Sequence, residues 1–231
     1  MSKPSIFSAF KQYRDLFLFL ICVALLVSFP QIDLFVTGLF YDPQTEQFFL
    51  KHNPFFKFIY WVFAVIHIPL LLGLMAAGLL IKYKKLNLQR YKKWSITFLL
   101  LALIIGPGLL VNTVLKDNSI GRARPVQVEN FGGTKQFTPA FIYSGECKRN
   151  CSFVSGHAAM GFYFMILGWL FASPRAFWAG CIVGVVLSFT RIIQGGHFFS
   201  DTVFAFWAVY FVTSALGARF GFIHPLRIKQ S

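Results

Sequence analysis

The sequence predicts an all-α integral membrane protein, a bundle of six transmembrane helices. Only 13% of the 231 residues are charged and 56% are hydrophobic, whereas about 25% of the residues of a soluble domain are charged. Six stretches also contain the roughly 20 mostly apolar residues that a helix needs to cross a bilayer. This composition excludes a disordered chain, a nucleic-acid-binding tail and an ordinary soluble domain.

The six predicted spans follow one another along most of the chain. They centre on residues 16–29, 59–81, 94–115, 158–172, 177–194 and 202–218. Three cations precede the first span, as in a secretory signal, but no small-residue cleavage site follows it, so we expect an uncleaved helix. The apolar part of the fourth span is short, and we therefore expect residues 152–157 to belong to the same helix.

The positions of Lys and Arg predict the orientation. Cytoplasmic connections are rich in these residues, and 13 of the 22 lie in the N-terminus, the second and fourth connections and the tail. Both termini should therefore be cytoplasmic. We expect a cytoplasmic N-terminal segment (1–15), a six-helix membrane domain (16–219) and a cytoplasmic tail (220–231). In so apolar a chain, the net charge of +14 indicates lipid head groups or phosphorylated substrates as partners rather than nucleic acid.

The four cysteines divide by their position in this topology. Cys22 and Cys181 fall within spans, where a free thiol packs as a small hydrophobic group. Cys147 and Cys151 share the long outer connection, and such a pair tends to oxidise outside the cytoplasm. We predict a disulfide, with two free thiols as the alternative. A zinc site lacks further ligands at suitable spacing, and no metal is expected.

Three polar clusters lie in the outer connections of the last four spans. They occupy residues 116–125, 152–157 and 190–201. Because neighbouring spans alternate in direction, the outer ends of spans three to six meet the same membrane surface. The clusters can therefore converge, although they are far apart in sequence, and they place the candidate active site at the outer end of the bundle.

The cations of these clusters indicate a phosphate site. Fixed positive charges repel one another unless an anion joins them, and the donor fork of arginine matches phosphate oxygens. A serine and a glycine at a helix start add free backbone N–H groups and the positive end of the helix dipole. The candidate phosphate-binding residues are Lys116, Arg122, Arg124, Arg191, Ser155 and Gly156.

Two histidines and an aspartate complete a reaction site. His197 and Asp201 are four positions apart, which places them on one face of a helix. The carboxylate can fix the imidazole tautomer and leave the other nitrogen free as a nucleophile. His157, on another helix, can protonate a departing alkoxide. Taken singly, the cations could be snorkelling at the interface and the His–Asp pair could be a helix cap. Their combination on one surface favours phosphoryl chemistry.

These residues resemble the type 2 phosphatidic acid phosphatase (PAP2) superfamily. Its pattern is a Lys followed by Arg-Pro, then Ser-Gly-His, then Ser-Arg followed by His and Asp. The matching segments here are Lys116…Arg124-Pro125, Ser155-Gly156-His157 and Thr190-Arg191…His197…Asp201. The resemblance covers about residues 55–220. It implies that His197 forms a phosphohistidine, Asp201 orients it, His157 is the general acid, and neither a metal nor another cofactor takes part.

The first motif departs from the family pattern in its spacing. Seven residues separate Lys116 from Arg124, where the family usually has six. Either the turn bulges at Gly121 or the role of the lysine is shared with Arg122. Val154 also replaces the usual Pro, and Thr190 replaces Ser but keeps the hydroxyl.

Segments outside these motifs are similar to the bacterial lipid A phosphatases. They are residues 32–35, 39–43, 131–139 and the Cys147–Cys151 loop. The resemblance implies a lipid phosphate substrate, most simply lipid A, in a Gram-negative inner membrane, with the site facing the periplasm. Lys135, Lys148 and Arg149 either hold its second phosphate or belong to a solvated loop. Which phosphate is removed is left open.

Other functions fit the same motifs. The substrate could be another lipid, such as phosphatidylglycerophosphate or undecaprenyl pyrophosphate, or the phosphate could pass to a second lipid. A non-catalytic lipid binder or transporter is the alternative from a different class, and the intact set of two histidines and an aspartate argues against it. No obligatory protein partner is inferred.

Overall fold

The computed structural model describes residues 6–83 and 94–227 and is mostly helical, as predicted. The α-helices are α1 Ile6–Ser28, α2 Gln31–Gly38, α3 Pro54–Val65, α4 His67–Lys82, α5 Ser95–Leu103, α6 Gly156–Tyr163, α7 Ile166–Leu170, α8 Pro174–Ile193 and α9 Phe199–Arg219. An antiparallel hairpin follows α2, with strands β1 (Tyr41–Asp42) and β2 (Gln47–Phe48). Short 3₁₀ turns occupy Pro125–Gln127, Glu129–Phe131 and Pro225–Arg227.

Four helical stretches of the described chain are long and apolar enough to cross a membrane. They are Pro54–Lys82, Ser95–Asp117, Pro174–Ile193 and Phe199–Arg219. A fifth is added if Tyr13–Ser28 and Gln31–Gly38, which meet at an angle of 80°, form one bent span. The apolar stretch Gly156–Leu170 is shorter than these. The structure therefore has four to five candidate spans, against the six that the sequence predicts.

The fourth predicted span differs most from expectation. Helix α6 begins only at Gly156, because Ser155 has extended backbone angles and its side chain accepts a hydrogen bond from the Ala158 N–H group. The prediction that residues 152–155 are helical is therefore wrong. Instead, the Ser152 N–H group donates to the Arg122 carbonyl at 2.9 Å, which fixes this segment beside the first polar cluster.

The third span changes its winding before it reaches the site. Helix α5 continues as a π-helix over Ile104–Asp117, and this segment contains Pro107, which has no N–H group to donate to the preceding turn. Carbonyl groups in the segment are satisfied by side chains: the Asn112 amide donates to the Pro107 carbonyl at 2.7 Å, and the Asn118 amide donates to the Thr113 carbonyl at 2.7 Å. Lys116 lies in the last turn of this π-helix.

The tightest packing joins α6 to α8 and α9. A Cβ atom on Gly184 of α8 would collide with the ring of Phe162 on α6, and one on Gly180 would collide with the backbone at Phe164 and Met165. Glycine therefore lets these helices approach closely. Since interiors are packed at crystal-like density, this contact fixes α6 against α8.

Most of the cations that predict the sidedness lie outside the described residues. Seven of the 13 predicted cytoplasmic Lys and Arg fall in segments 1–5, 84–93 and 228–231. The predicted N-terminal segment and cytoplasmic tail are described only in part.

Candidate active site

Backbone hydrogen bonds bring the three polar clusters to one end of the bundle. The Ser155 N–H group donates to the Asp201 carbonyl at 3.1 Å, which links the second cluster to the third. The Val126 N–H group donates to the Gly195 carbonyl, also at 3.1 Å, which links the segment after Arg124 to the third cluster. The convergence that the alternation of spans predicts is thus present in the structure.

His197 has one ring nitrogen occupied and one free. Its Nδ1 atom lies 2.7 Å from the Ser152 carbonyl oxygen. Because a carbonyl oxygen can only accept, Nδ1 must carry the proton, and Nε2 keeps its lone pair. The side chain is fully buried, and Nε2 contacts no hydrogen-bond partner within the described residues. Nε2 is therefore the atom available for nucleophilic attack.

The orientation of His197 differs from the prediction. The nearest Asp201 oxygen, Oδ2, is 3.6 Å from His197 Nδ1, farther than the Ser152 carbonyl. Asp201 Oδ2 instead accepts from the Ser152 hydroxyl at 2.5 Å and from the Phe198 N–H group at 2.8 Å. Ser152 thus contacts both residues, with its carbonyl on His197 and its hydroxyl on Asp201. The hydrogen-bond partner of the imidazole is therefore the Ser152 carbonyl, with the Asp201 carboxylate next to it.

The environment of His197 keeps its imidazole neutral. Burial lowers the pKa of His197 to about 3; the charges of Arg191 and Arg124 act in the same direction, and the nearby Asp201 carboxylate opposes them. An unprotonated imidazole at neutral pH is the form that a nucleophile requires.

Arg122 lies in a buried ion-pair network. Its Nη1 atom donates to Asp201 Oδ1 at 2.6 Å, and its Nη2 atom donates to Asp33 Oδ2 at 2.7 Å. Further bonds run to the Thr138 carbonyl and the Ser200 hydroxyl, and only 1% of the residue is exposed. Each guanidinium nitrogen thus has an acceptor within the protein, and phosphate binding by Arg122 stays a prediction that these contacts do not favour.

The carboxylates of this network hold Arg122 in its charged form. Burial alone would lower the pKa of Arg122, but Asp201 and Asp33 outweigh it and raise the pKa above its ordinary value. Asp33 also accepts from the Ser200 N–H group at 2.7 Å and from the Ser200 hydroxyl at 2.6 Å. Helix α2 is therefore tied to the start of α9, next to the reactive histidine.

His157 and Arg191 both contact the same aromatic ring. The ring of Tyr60, on α3, stacks on the His157 imidazole with centroids 4.4 Å apart, and the Arg191 guanidinium carbon lies 4.7 Å from the Tyr60 ring centroid. Arg191 Nη1 also donates to Gln194 Oε1 at 2.5 Å. A Cβ atom on Gly196 would collide with the guanidinium, so any other residue at this position would displace the arginine side chain.

Lys116 reaches the first turn of α6. Only 9% of the residue is exposed, and its Nζ atom is 3.5 Å from the point that a Cβ atom on Gly156 would occupy. The N–H groups of Gly156 and His157 open this helix and have no backbone acceptor in the described chain. The Ser155 hydroxyl caps the turn and keeps its own proton for donation. Lysine, N–H groups and hydroxyl thus lie at the helix start where the sequence predicts an anion-binding site.

Arg124 is held by the outer loop. Its Nη2 atom donates to the carbonyl and side-chain oxygens of Asn150, at 2.9 and 2.8 Å, and the Asn150 N–H group donates to Asp117 Oδ1 at 2.8 Å. Arg124 and Arg191 line the same cleft, which has a volume of about 270 Å³. Two of the predicted phosphate ligands therefore face one space.

The turn before Arg124 contains the extra residue of the first motif. Gly121 has a φ of +64°, which glycine adopts without steric cost. This backbone conformation is compatible with the predicted bulge at Gly121. The Cys147 N–H group donates to the Gly121 carbonyl at 2.9 Å. Cys147 and Cys151 form a disulfide, with Cα atoms 5.6 Å apart, so the disulfide loop rests on the turn that carries Arg124.

Three unsatisfied polar atoms mark the centre of the site. Seven buried side-chain polar atoms of the described chain lack a hydrogen-bond partner, and three of them are His197 Nε2, His157 Nε2 and Arg191 Nε. Buried polar groups in native structures are almost always paired, so these atoms point to a ligand. No group of three metal-ligating side chains occurs among the described residues.

Three contributors to this site are absent from the predicted site residues. Asp33 lies in a segment similar to the bacterial lipid A phosphatases, and a single carboxylate in an apolar stretch is a signal of function that could have identified it. Ser152 lies in the second cluster, but its contact with His197 depends on its backbone carbonyl. Tyr60 is one of many aromatic residues in apolar spans, so composition does not distinguish it.

The comparisons with known proteins agree with this site. The family model described as the PAP2 superfamily matches residues 94–220. The chain is 41% identical over 197 residues to the lipid A 4'-phosphatase of Francisella tularensis subsp. novicida (strain U112), an alignment that covers 80% of this chain and 84% of the relative. It is 38% identical over 133 residues to the lipid A 4'-phosphatase of Rhizobium leguminosarum, covering 56% of each chain. No solved structure matches it.

The family assignment predicted from the three motifs is therefore confirmed by an independent match over more than half of the chain and by a relative that aligns along most of it. The same segments meet at one end of the bundle, where the arginines line one cleft and His197 is buried. The chain belongs to the PAP2 superfamily and is a lipid phosphatase of that family.

Proposed function

We propose that the protein hydrolyses the 4'-phosphate of lipid A through a phosphohistidine on His197. The observation that carries this proposal is the set of buried atoms without a hydrogen-bond partner in the described chain, His197 Nε2, His157 Nε2 and Arg191 Nε. Cations of the same clusters surround them. The substrate follows from the relatives, which are named lipid A 4'-phosphatases.

The first chemical step forms a nitrogen–phosphorus bond. The lone pair on His197 Nε2 attacks phosphorus, and the ester oxygen leaves with the electrons of its bond to phosphorus. Protonated His157 gives its Nε2 proton to that oxygen, so the sugar departs as an alcohol. A water molecule then attacks phosphorus and gives a proton to His157, while the nitrogen–phosphorus bond breaks and its electrons return to His197 Nε2. Inorganic phosphate leaves, and both histidines return to their starting states.

Fixed cations stabilise the charge that develops on phosphorus. Lys116, Arg124 and Arg191 surround the phosphate oxygens, with the Gly156 N–H group and the Ser155 hydroxyl as neutral donors. Such preorganised donors favour the transition state because they need no rearrangement as charge builds up. Arg122 and Asp33 contribute indirectly, since they fix Asp201.

We further propose that the chain spans the inner membrane six times, with both termini in the cytoplasm. In this arrangement α1 is the first span, the short α6 and α7 together form the fourth, and residues 16–219 make up the membrane domain. The distribution of Lys and Arg supports it. The site then faces the periplasm, where the Cys147–Cys151 disulfide would be stable.

Mass spectrometry of lipid A tests the function directly. Cells that express the protein should accumulate lipid A without its 4'-phosphate, and cells that express His197→Ala should not. The purified protein should release inorganic phosphate from lipid A faster than from phosphatidylglycerophosphate or undecaprenyl pyrophosphate. Preferential hydrolysis of either of those lipids, or transfer of the phosphate to a second lipid without release, would contradict the proposal.

A further inference from the structure

The cleft of Arg124 and Arg191 contains two more cations that the proposed reaction does not use. Lys51 and Lys57 line it together with Tyr60, Val126, Gln194, Gly195 and Gly196. Four of these nine lining residues are positively charged, and none is acidic. Clefts lined by charges of one sign concentrate ions of the opposite sign. In the proposed reaction the two arginines bind the reacting phosphate, and the two lysines can bind another anionic group.

Lys57 has a fixed position relative to the reacting groups. It precedes Tyr60 by three positions on α3, and residues with this spacing share a helix face. That face is directed at the site, because the Tyr60 ring contacts both the His157 imidazole and the Arg191 guanidinium. The start of α3 is fixed as well, since the Asn53 side chain accepts from the Phe55 N–H group at 3.0 Å.

Lys51 is held in place by a buried aromatic residue. Its N–H group donates to the Phe48 carbonyl at 2.9 Å, and Phe48, the last residue of β2, is only 3% exposed. The Phe48 ring packs against Gly195, where a Cβ atom would collide with it, and Gly195 lines the same cleft. The hairpin therefore places the backbone of Lys51 beside the cleft, while its exposed side chain is free to bind.

We propose that Lys51 and Lys57 bind a second anionic group on the saccharide head group of the same substrate molecule. This inference rests on the proposed function, and the group is either the other phosphate or the carboxylate of an attached acidic sugar. The sequence had suggested Lys135, Lys148 and Arg149 for such a role. None of these three lines the cleft described here, and the Lys135 ammonium donates instead to the Glu146 carbonyl.

Steady-state kinetics in neutral detergent can test the proposal with three substrates. These are lipid A with both phosphates, lipid A with the 4'-phosphate alone, and the latter with an acidic sugar attached. The double variant Lys51→Gln/Lys57→Gln should lose about tenfold in kcat/KM, mainly through KM, on a substrate that carries the second anion, as expected for the loss of charge-assisted contacts. It should change less than twofold on lipid A with the 4'-phosphate alone.

Lys82→Gln is the matched control, because it removes an exposed lysine from the far end of the same helical stretch, Pro54–Lys82. It should behave as wild type on all three substrates. Selectivity for the bisphosphate would identify phosphate as the second group, and selectivity for the acidic sugar would identify the carboxylate. Equal losses of the double variant on all three, or no loss on any, would overturn the inference. If the wild-type protein left every lipid A intact, the proposed function itself would fail, and this inference with it.

Discussion

Arg122 Nη2 lies 2.7 Å from Asp33 Oδ2, although the two residues are 89 positions apart in the chain. Both side chains are almost fully buried, and Arg122 also contacts Asp201, the carboxylate that binds Ser152 beside His197. The ion pair therefore connects helix α2, outside the matched family region, to the reactive histidine inside it. Asp33 is thus a positioning residue that acts through Arg122.

Asp33→Asn should lower both stability and turnover. Removing one partner of a buried ion pair costs about 3–5 kcal/mol, because it leaves a buried charge poorly compensated. The thermal midpoint should fall clearly, and kcat should fall about tenfold at a nearly constant KM, since Asp33 does not touch the substrate. Asp42→Asn is the control, because the Asp42 carboxylate accepts from the Gln44 N–H group and the Thr45 hydroxyl in the hairpin turn. Equal behaviour of the two variants would contradict the positioning role.

The two histidines should respond differently to the leaving group. His197→Ala should lose several orders of magnitude in kcat on every substrate, because the variant has no nucleophile to replace the imidazole. Each tenfold loss corresponds to an increase of about 1.4 kcal/mol in the activation free energy. His157→Ala should be nearly as damaging on lipid A but much milder on p-nitrophenyl phosphate, whose leaving group needs no proton. Rates on both substrates measure this. A tenth of wild-type activity in His197→Ala, or equal losses for His157→Ala on both substrates, would refute these roles.

Replacement of Lys116 should lower activity, whereas replacement of Arg122 should lower stability. Lys116→Ala should fold normally and lose two or more orders of magnitude in kcat/KM, as expected for a charge-assisted contact in a buried site. Arg122→Ala should instead lower the thermal midpoint, because it leaves Asp33 and Asp201 buried without their counter-ion. Thermal unfolding and kcat/KM, measured for both variants with Arg124→Ala as a reference for a phosphate ligand, will separate the two roles. A stable but inactive Arg122→Ala would show that Arg122 binds phosphate after all.

His197 should make stability depend on pH. Its pKa is about 3 in the folded protein and about 6.5 in an unfolded chain, so below pH 6.5 protons bind preferentially to the unfolded state. Its contribution to stability is complete above that pH and is lost as the pH falls towards 3, by up to about 1.4 kcal/mol per pH unit.

Thermal midpoints in detergent at pH 7, 6 and 5 can check this expectation. The midpoint of the wild-type protein should fall more steeply with acid than that of His197→Gln, whose side chain does not titrate. Parallel curves would mean that the pKa of His197 is not lowered in the folded state.

The sequence alone was sufficient for the membrane class, the helical fold, the family and the segments that meet at the site. Long apolar stretches predict membrane spans directly. Arg191, His197 and Asp201 lie in one short connection, so their spacing is visible in the sequence. These properties depend on residues that are neighbours in the chain, and a single sequence records them well.

Only the tertiary structure decided which side chains contact one another. The sequence predicts both Lys116 and Arg122 as phosphate ligands, but their surroundings in the fold differ. Arg122 lies between two carboxylates, while Lys116 reaches the start of α6. The Ser152 carbonyl on His197 and the Tyr60 ring on His157 likewise required the fold. The reason is physical, because a backbone carbonyl has no residue-specific signature and a contact across 89 positions leaves no periodicity in the sequence.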